Sequence, residues 1–221
     1  MPRQPDHLAM TPFFGFFHYV VRCCYDAFFR GEVVGVEHLP RTGPFIIAAN
    51  HASHLDPFFI GGQAPRQMRF FARKTLWTGG IISWWLDSTE SIPVDRDGRS
   101  DTAGAVKRVL QTLRANRGLI LFPEGTRTLD GRLQKAKPGI GFIASRSGVP
   151  VVPCRIYGSF EAFGKGRVIP RLGTPISIVF GPALSPAQYD EPSAGKDRAG
   201  IVAARIMQEI AALSEPEFAV I

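Results

Sequence analysis

The chain has 221 residues, 45% hydrophobic and 20% charged, which excludes a disordered tail protein and fits one domain of about 100–200 residues with its own core. Its three cysteines (Cys23, Cys24, Cys154) exclude a disulfide framework and make a reducing compartment the default. The net charge is +7, and the whole excess lies in residues 60–137, with 14 Lys and Arg against 7 Asp and Glu, so an anionic partner is expected: nucleic acid, membrane surface or phosphorylated substrate.

No secretory signal is visible at Met1 to His7. From Leu8 to Phe29 the chain is crowded with phenylalanines, yet His18, Arg22, Asp26 and Arg30 recur every four positions and draw a polar stripe along one helical face. Phe17, Val20, Val21, Cys24 and Phe28 form the other face. A membrane-spanning helix needs about 20 mostly uninterrupted apolar residues. The pattern predicts instead an amphipathic helix over residues 1–30 lying in a membrane interface, with docking on the domain's own core as the alternative. A second aromatic patch, Trp77 with Ile81 to Leu86, holds all three tryptophans, which favour the headgroup zone.

Downstream, short apolar runs predict strands at Glu32–Val36, Phe45–Ala49, Met68–Ala72, Ser91–Val94, Leu119–Phe122, Val151–Ile156 and Ile176–Phe180. Val106, Val109, Leu110 and Leu113 fall at helical spacing, in a helix opened by Ser100 or Asp101 and closed near Gly118. Another helix is expected from Pro138 to Arg146, and a last one presents Val202, Ile206, Ile210 and Leu213 on one face. Strands alternating with helices imply an α/β domain over residues 31–221, a mostly parallel central sheet flanked by helices.

Three segments carry candidate chemistry. Asn50-His51-Ala52-Ser53-His54-Leu55-Asp56-Pro57 follows a strand directly, and ligands in α/β proteins gather at the carboxyl ends of strands. If the chain reverses into a helix there, Asp56 can accept from one ring nitrogen of His51 and leave the other as a base. The bland alternative is a helix capping box from Ser53 to Asp56. Phe122-Pro123-Glu124-Gly125-Thr126-Arg127 ends a second strand, with backbone N–H groups on a glycine turn and an arginine able to grip phosphate bidentately. Ser91-Ile92-Pro93-Val94-Asp95-Arg96 ends a third strand; a surface salt bridge is its simplest account. Lys74 and Lys137 are further basic candidates.

Together, and with the proline-containing strand Val149-Pro150-Val151-Val152-Pro153, these blocks resemble in order and spacing the glycerolipid acyltransferases, in particular the 1-acylglycerol-3-phosphate acyltransferases. The resemblance covers about residues 30–180. One departure is Ser88-Thr89-Glu90, where the family often carries a glycine before its second-block arginine.

The resemblance implies transfer of a fatty acyl group from a thioester, acyl-coenzyme A or acyl carrier protein, to the free hydroxyl of lysophosphatidic acid or another lysophospholipid. It implies no cofactor and no metal. His51 is then the general base and Asp56 its orienting carboxylate. Lys74, Arg96, Glu124, Gly125, Thr126 and Arg127 hold the glycerol phosphate, with Glu124 expected to orient a neighbouring arginine. The enzyme is expected on the cytoplasmic face of a membrane, bound from one side. The competing readings are a metal hydrolase using His51, His54 and Asp56, and an anionic-membrane or nucleic-acid binding module; neither accounts for the three blocks together.

Overall fold

The computed structural model describes residues 10, 12–73, 75, 77–88, 91–94 and 102–217. Lys74 and Arg96, two of the expected phosphate-binding residues, lie outside the described residues.

Chain order is helix α1 (Pro12–Phe28), β1 (Val33–Val34), β2 (Phe45–Ala49), α2 (Asp56–Gln63), β3 (Met68–Arg73), α3 (Gly80–Ser88), β4 (Ile92–Val94), α4 (Thr102–Arg114) and β5 (Gly118–Leu121). Then follow α5 (Pro138–Ser147), β6 (Val151–Tyr157), α6 (Ser159–Phe163), β7 (Ser177–Phe180), α7 (Pro186–Tyr189) and α8 (Arg198–Ala212). The strands form a seven-stranded sheet in the order β1-β7-β6-β2-β5-β3-β4. Every neighbouring pair is parallel except β6 with β7. The chain is therefore the expected α/β domain with a mostly parallel sheet.

The two-residue side-chain period of β2 builds both layers of the core. Phe45, Ile47 and Ala49 face one way, packing with Val21, Tyr25, Phe59 and Ile60 from α1 and α2. Ile46 and Ala48 face the other, with Val109 and Leu113 of α4, Ile140 and Ile143 of α5, and Val202, Ile206 and Ile210 of α8. All five β2 residues are completely buried, so this strand and its carboxyl end sit at the centre of the molecule.

Three expectations are corrected at their ends. The first strand is two residues long because the backbone turns left-handed at Gly35 (φ 80) into a 3-10 turn, Val36–His38. Helix α4 stops at Arg114, short of Gly118, because Asn116 takes a positive φ of 58 and the chain enters β5 at Gly118 itself. Phe122 lies just past β5, which frees its ring for the site.

Helix α1 docks differently from its expected faces. Phe14, Val21 and Tyr25, with Phe29 beyond the helix end, are the buried stripe. His18, assigned to the polar stripe, turns inward and its Nε2 meets the Ala64 carbonyl at 3.0 Å. Burial there lowers its pKa, against the opposing pull of that carbonyl. Val20 and Phe28, assigned to the apolar face, are exposed together with Phe16 and Tyr19. Large apolar residues surround most of α1, so periodicity could not select which of them meet the core. Among the described residues, no helix is long and apolar enough to cross a membrane.

Candidate active site

The site forms where the central strand β2 ends. Asn50 is buried, and its side chain acts as one more rung of the ladder to β6: Nδ2 donates to the Ile156 carbonyl at 3.0 Å, and the Ile156 N–H donates to Oδ1 at 2.8 Å. This bidentate clamp holds the backbone where it leaves the sheet at His51.

Asp56 opens α2 and is completely buried. Its Oδ2 accepts from His51 Nδ1 at 2.9 Å and from the backbone N–H groups of Ala52 and Ser53, each at 2.7 Å. One oxygen thus gathers the whole turn and orients the imidazole. The helix begins at Asp56 itself, so Ser53 and Asp56 do not make the capping box weighed as the alternative. Ser53 Oγ instead donates to the Phe163 carbonyl at 2.9 Å. With Nδ1 committed to the carboxylate, Nε2 carries the ring's lone pair and is the basic nitrogen.

The turn after β5 encloses His51 from the other side. The Phe122 ring stacks on the imidazole, with centroids 4.0 Å apart and an 18° interplanar angle. Glu124 Oε1 accepts the His51 backbone N–H at 3.0 Å, and the Thr128 N–H donates to the His51 carbonyl at 2.9 Å. His51 is thereby fixed through its ring, its N–H and its C=O, leaving its side chain 12% exposed.

Glu124 is buried, and burial pushes its pKa up to about 7; hydrogen bonds from the His51 and Gln134 N–H groups oppose that rise, and the charge of Asp56 adds to it. The expected task of this carboxylate was to orient an arginine. The contacts it makes are with the His51 and Gln134 backbones, and they hold the loop that carries His51.

Gly125 adopts φ 69, and a Cβ there would stand 3.0 Å from Cδ and 3.2 Å from Nζ of Lys137. The Lys137 N–H donates to the Pro123 carbonyl at 2.9 Å, so the missing side chain leaves space for a lysine laid along the turn. Thr126 and Arg127 are half-buried beside it. The structure thus brings His51, Asp56, Glu124, Gly125, Thr126 and Arg127 together at the carboxyl ends of β2 and β5, which are adjacent in the sheet. Sequence reasoning missed the clamp of Asn50 and the stacking of Phe122; both residues lay inside the blocks, but their partners are far along the chain.

The histidine-aspartate pair and the glycine-arginine turn both lie within the stretch of chain that matches a known family. Residues 30–157 fit the model of the acyltransferase family. The chain belongs to that family. Similar acyltransferases include 1-acyl-sn-glycerol-3-phosphate acyltransferases from Limnanthes alba, 33% identical over 160 residues (70% of this chain, 54% of that one), and from Brassica napus chloroplasts, 28% identical over 144 residues (65% and 40%). The chain therefore spans about half the length of the relatives it matches. The crystal structure of the 1-acyl-sn-glycerophosphate (LPA) acyltransferase PlsC from Thermotoga maritima has the same fold, with a TM-score of 0.71, 24% identity, and coverage of 91% of this chain and 81% of that one.

Proposed function

We propose that this acyltransferase-family chain transfers a fatty acyl group from an acyl thioester to the free hydroxyl of lysophosphatidic acid, forming phosphatidic acid for phospholipid synthesis. The observation that carries the reading is the 2.9 Å contact between His51 Nδ1 and the buried Asp56, at the carboxyl end of the central strand.

The thioester is already activated, so no enzyme nucleophile is needed. His51 Nε2 takes the proton of the acceptor hydroxyl as its oxygen attacks the thioester carbonyl. The new C–O bond forms, the tetrahedral centre collapses, the C–S bond breaks, and the thiolate recovers the proton from the imidazolium. Asp56 stabilises that imidazolium. Cys154, in β6, is buried and burial raises its thiol pKa, while Cys23 and Cys24 lie on α1, so direct transfer is favoured over an acyl-cysteine.

The acceptor's phosphate is assigned to Arg127 with Gly125 and Thr126 on the turn after β5, and to Lys74 and Arg96. These three cations belong to the segment, residues 60–137, that carries the chain's excess positive charge. The lipid is reached from the cytoplasmic face of a membrane on which the protein lies, and support comes from Phe16, Tyr19, Val20, Phe28 and Trp84, large apolar side chains exposed on α1 and α3.

The test is an assay of the purified chain with lysophosphatidic acid and other lysophospholipids, each with acyl-coenzyme A and with acyl carrier protein. Phosphatidic acid formed by the wild type and not by His51→Ala is the expected result. No transfer to any lysophospholipid from either donor overturns the reading.

A further inference from the structure

The most exposed large apolar side chains among the described residues are not on α1. They are Val168 (89% exposed) and Ile169 (78%), at the tip of the loop joining α6 to β7, with Leu172 (59%) on its return. Residues 164–173 also contain Lys165, Arg167 and Arg171 and no acidic residue.

The base of this loop is held. The Arg171 N–H donates to the Ala162 carbonyl at 2.8 Å, and the Gly173 N–H donates to the Phe28 carbonyl at 2.7 Å. A closed loop that holds two aliphatic side chains in water, between cations, is the composition of an interfacial anchor: apolar groups for the acyl boundary and basic groups for anionic headgroups.

Its position fits that use. One end donates to the backbone carbonyl of Phe28, the last residue of α1, whose side chain is exposed, so the loop is tied to the end of that helix. The other end follows Phe163, whose carbonyl receives Ser53 Oγ from the catalytic turn.

We propose that the loop 164–173 is a second membrane contact, inserting Val168 and Ile169 into an anionic lipid surface near the turn that carries His51. It extends the membrane reading of α1, and rests on the acyltransfer reading only for the identity of the nearby site.

The experiment is flotation of the purified protein with phosphatidylcholine vesicles, with and without phosphatidylglycerol. V168S/I169S should weaken binding to both vesicle types by about tenfold. K165Q/R167Q/R171Q should weaken binding only to the phosphatidylglycerol vesicles, and only at low salt. Both variants should keep the wild-type melting temperature, and their turnover of a short-chain, monomeric lysophosphatidic acid should match wild type.

Wild-type vesicle binding by either variant overturns the proposal, as does a wild type that fails to float. Loss of acyl carrier protein binding with vesicle binding intact overturns it in favour of a protein partner. An inactive wild type that still loses flotation on substitution supports it and sinks the acyltransfer reading alone.

Discussion

Glu124 holds His51 by its backbone: the carboxylate oxygen Oε1 accepts the His51 N–H at 3.0 Å while Asp56 holds the ring. Two acidic side chains thus divide one task, the carboxylate that opens α2 setting the imidazole's tautomer and that of the turn after β5 setting its position. The Asn50 side chain, bonded to Ile156, secures the residue just before.

Asp56→Asn keeps an oxygen for the Ala52 and Ser53 N–H groups but loses the charge that stabilises the imidazolium. Turnover should fall by about 10²–10⁴-fold with little change in the acceptor's KM. Steady-state kinetics on the folded variant check this, and turnover near wild type would remove Asp56 from the mechanism.

Glu124 carries a pH signature. Its folded pKa, about 7, lies above its ordinary 4.5, so the folded protein holds a proton that the unfolded chain releases over that interval. Stability should therefore decline as pH rises from about 4.5 to about 7 and then level off as far as this group is concerned. Glu124→Gln retains an acceptor for the His51 N–H and should flatten that slope. Denaturant melts of both proteins across the interval decide it; identical slopes would refute a raised pKa.

Asn50→Ala leaves the Ile156 N–H and C=O without their partners in a buried strand. Stability should fall by about 1–3 kcal/mol. Because the lost clamp precedes the base and not the phosphate turn, kcat should fall more than the acceptor's KM rises. Denaturation together with kinetics separates the two effects.

Arg127→Ala should raise the KM for lysophosphatidic acid far more than the KM for the thioester donor. Equal loss for both substrates would deny it a role at the phosphate.

Much of the fold was legible because its signals are local. Seven apolar runs became seven strands, and Phe45–Ala49 matches its strand end for end. The short helices escaped notice: α6 has five residues and α7 four, too few for a helical period to repeat. For α7 a signal existed, Ser185 followed three residues later by Gln188, whose side chain accepts the Ser185 N–H at 2.8 Å. Helix α3 was read only as an aromatic patch, since Gly80–Ser88 is apolar nearly all round.

The candidate site divides the same way. The five-residue spacing of His51 and Asp56 allowed their pairing but also a capping box; the resemblance to the glycerolipid acyltransferases singled out the pairing, and the structure places the two side chains 2.9 Å apart. Glu124 was chosen for the right turn, but its contact with the backbone of His51 joins residues 73 positions apart, and no local pattern encodes that pairing.

By itself, then, the sequence determined the α/β class and the places of the strands, products of periodicity, and it marked His51 and Asp56 through the resemblance of its blocks. The tertiary structure alone decided which face of α1 is buried and how Asn50, Phe122 and Glu124 immobilise His51. Those outcomes depend on which strands become neighbours, and strand adjacency is settled by the summed burial of the whole core.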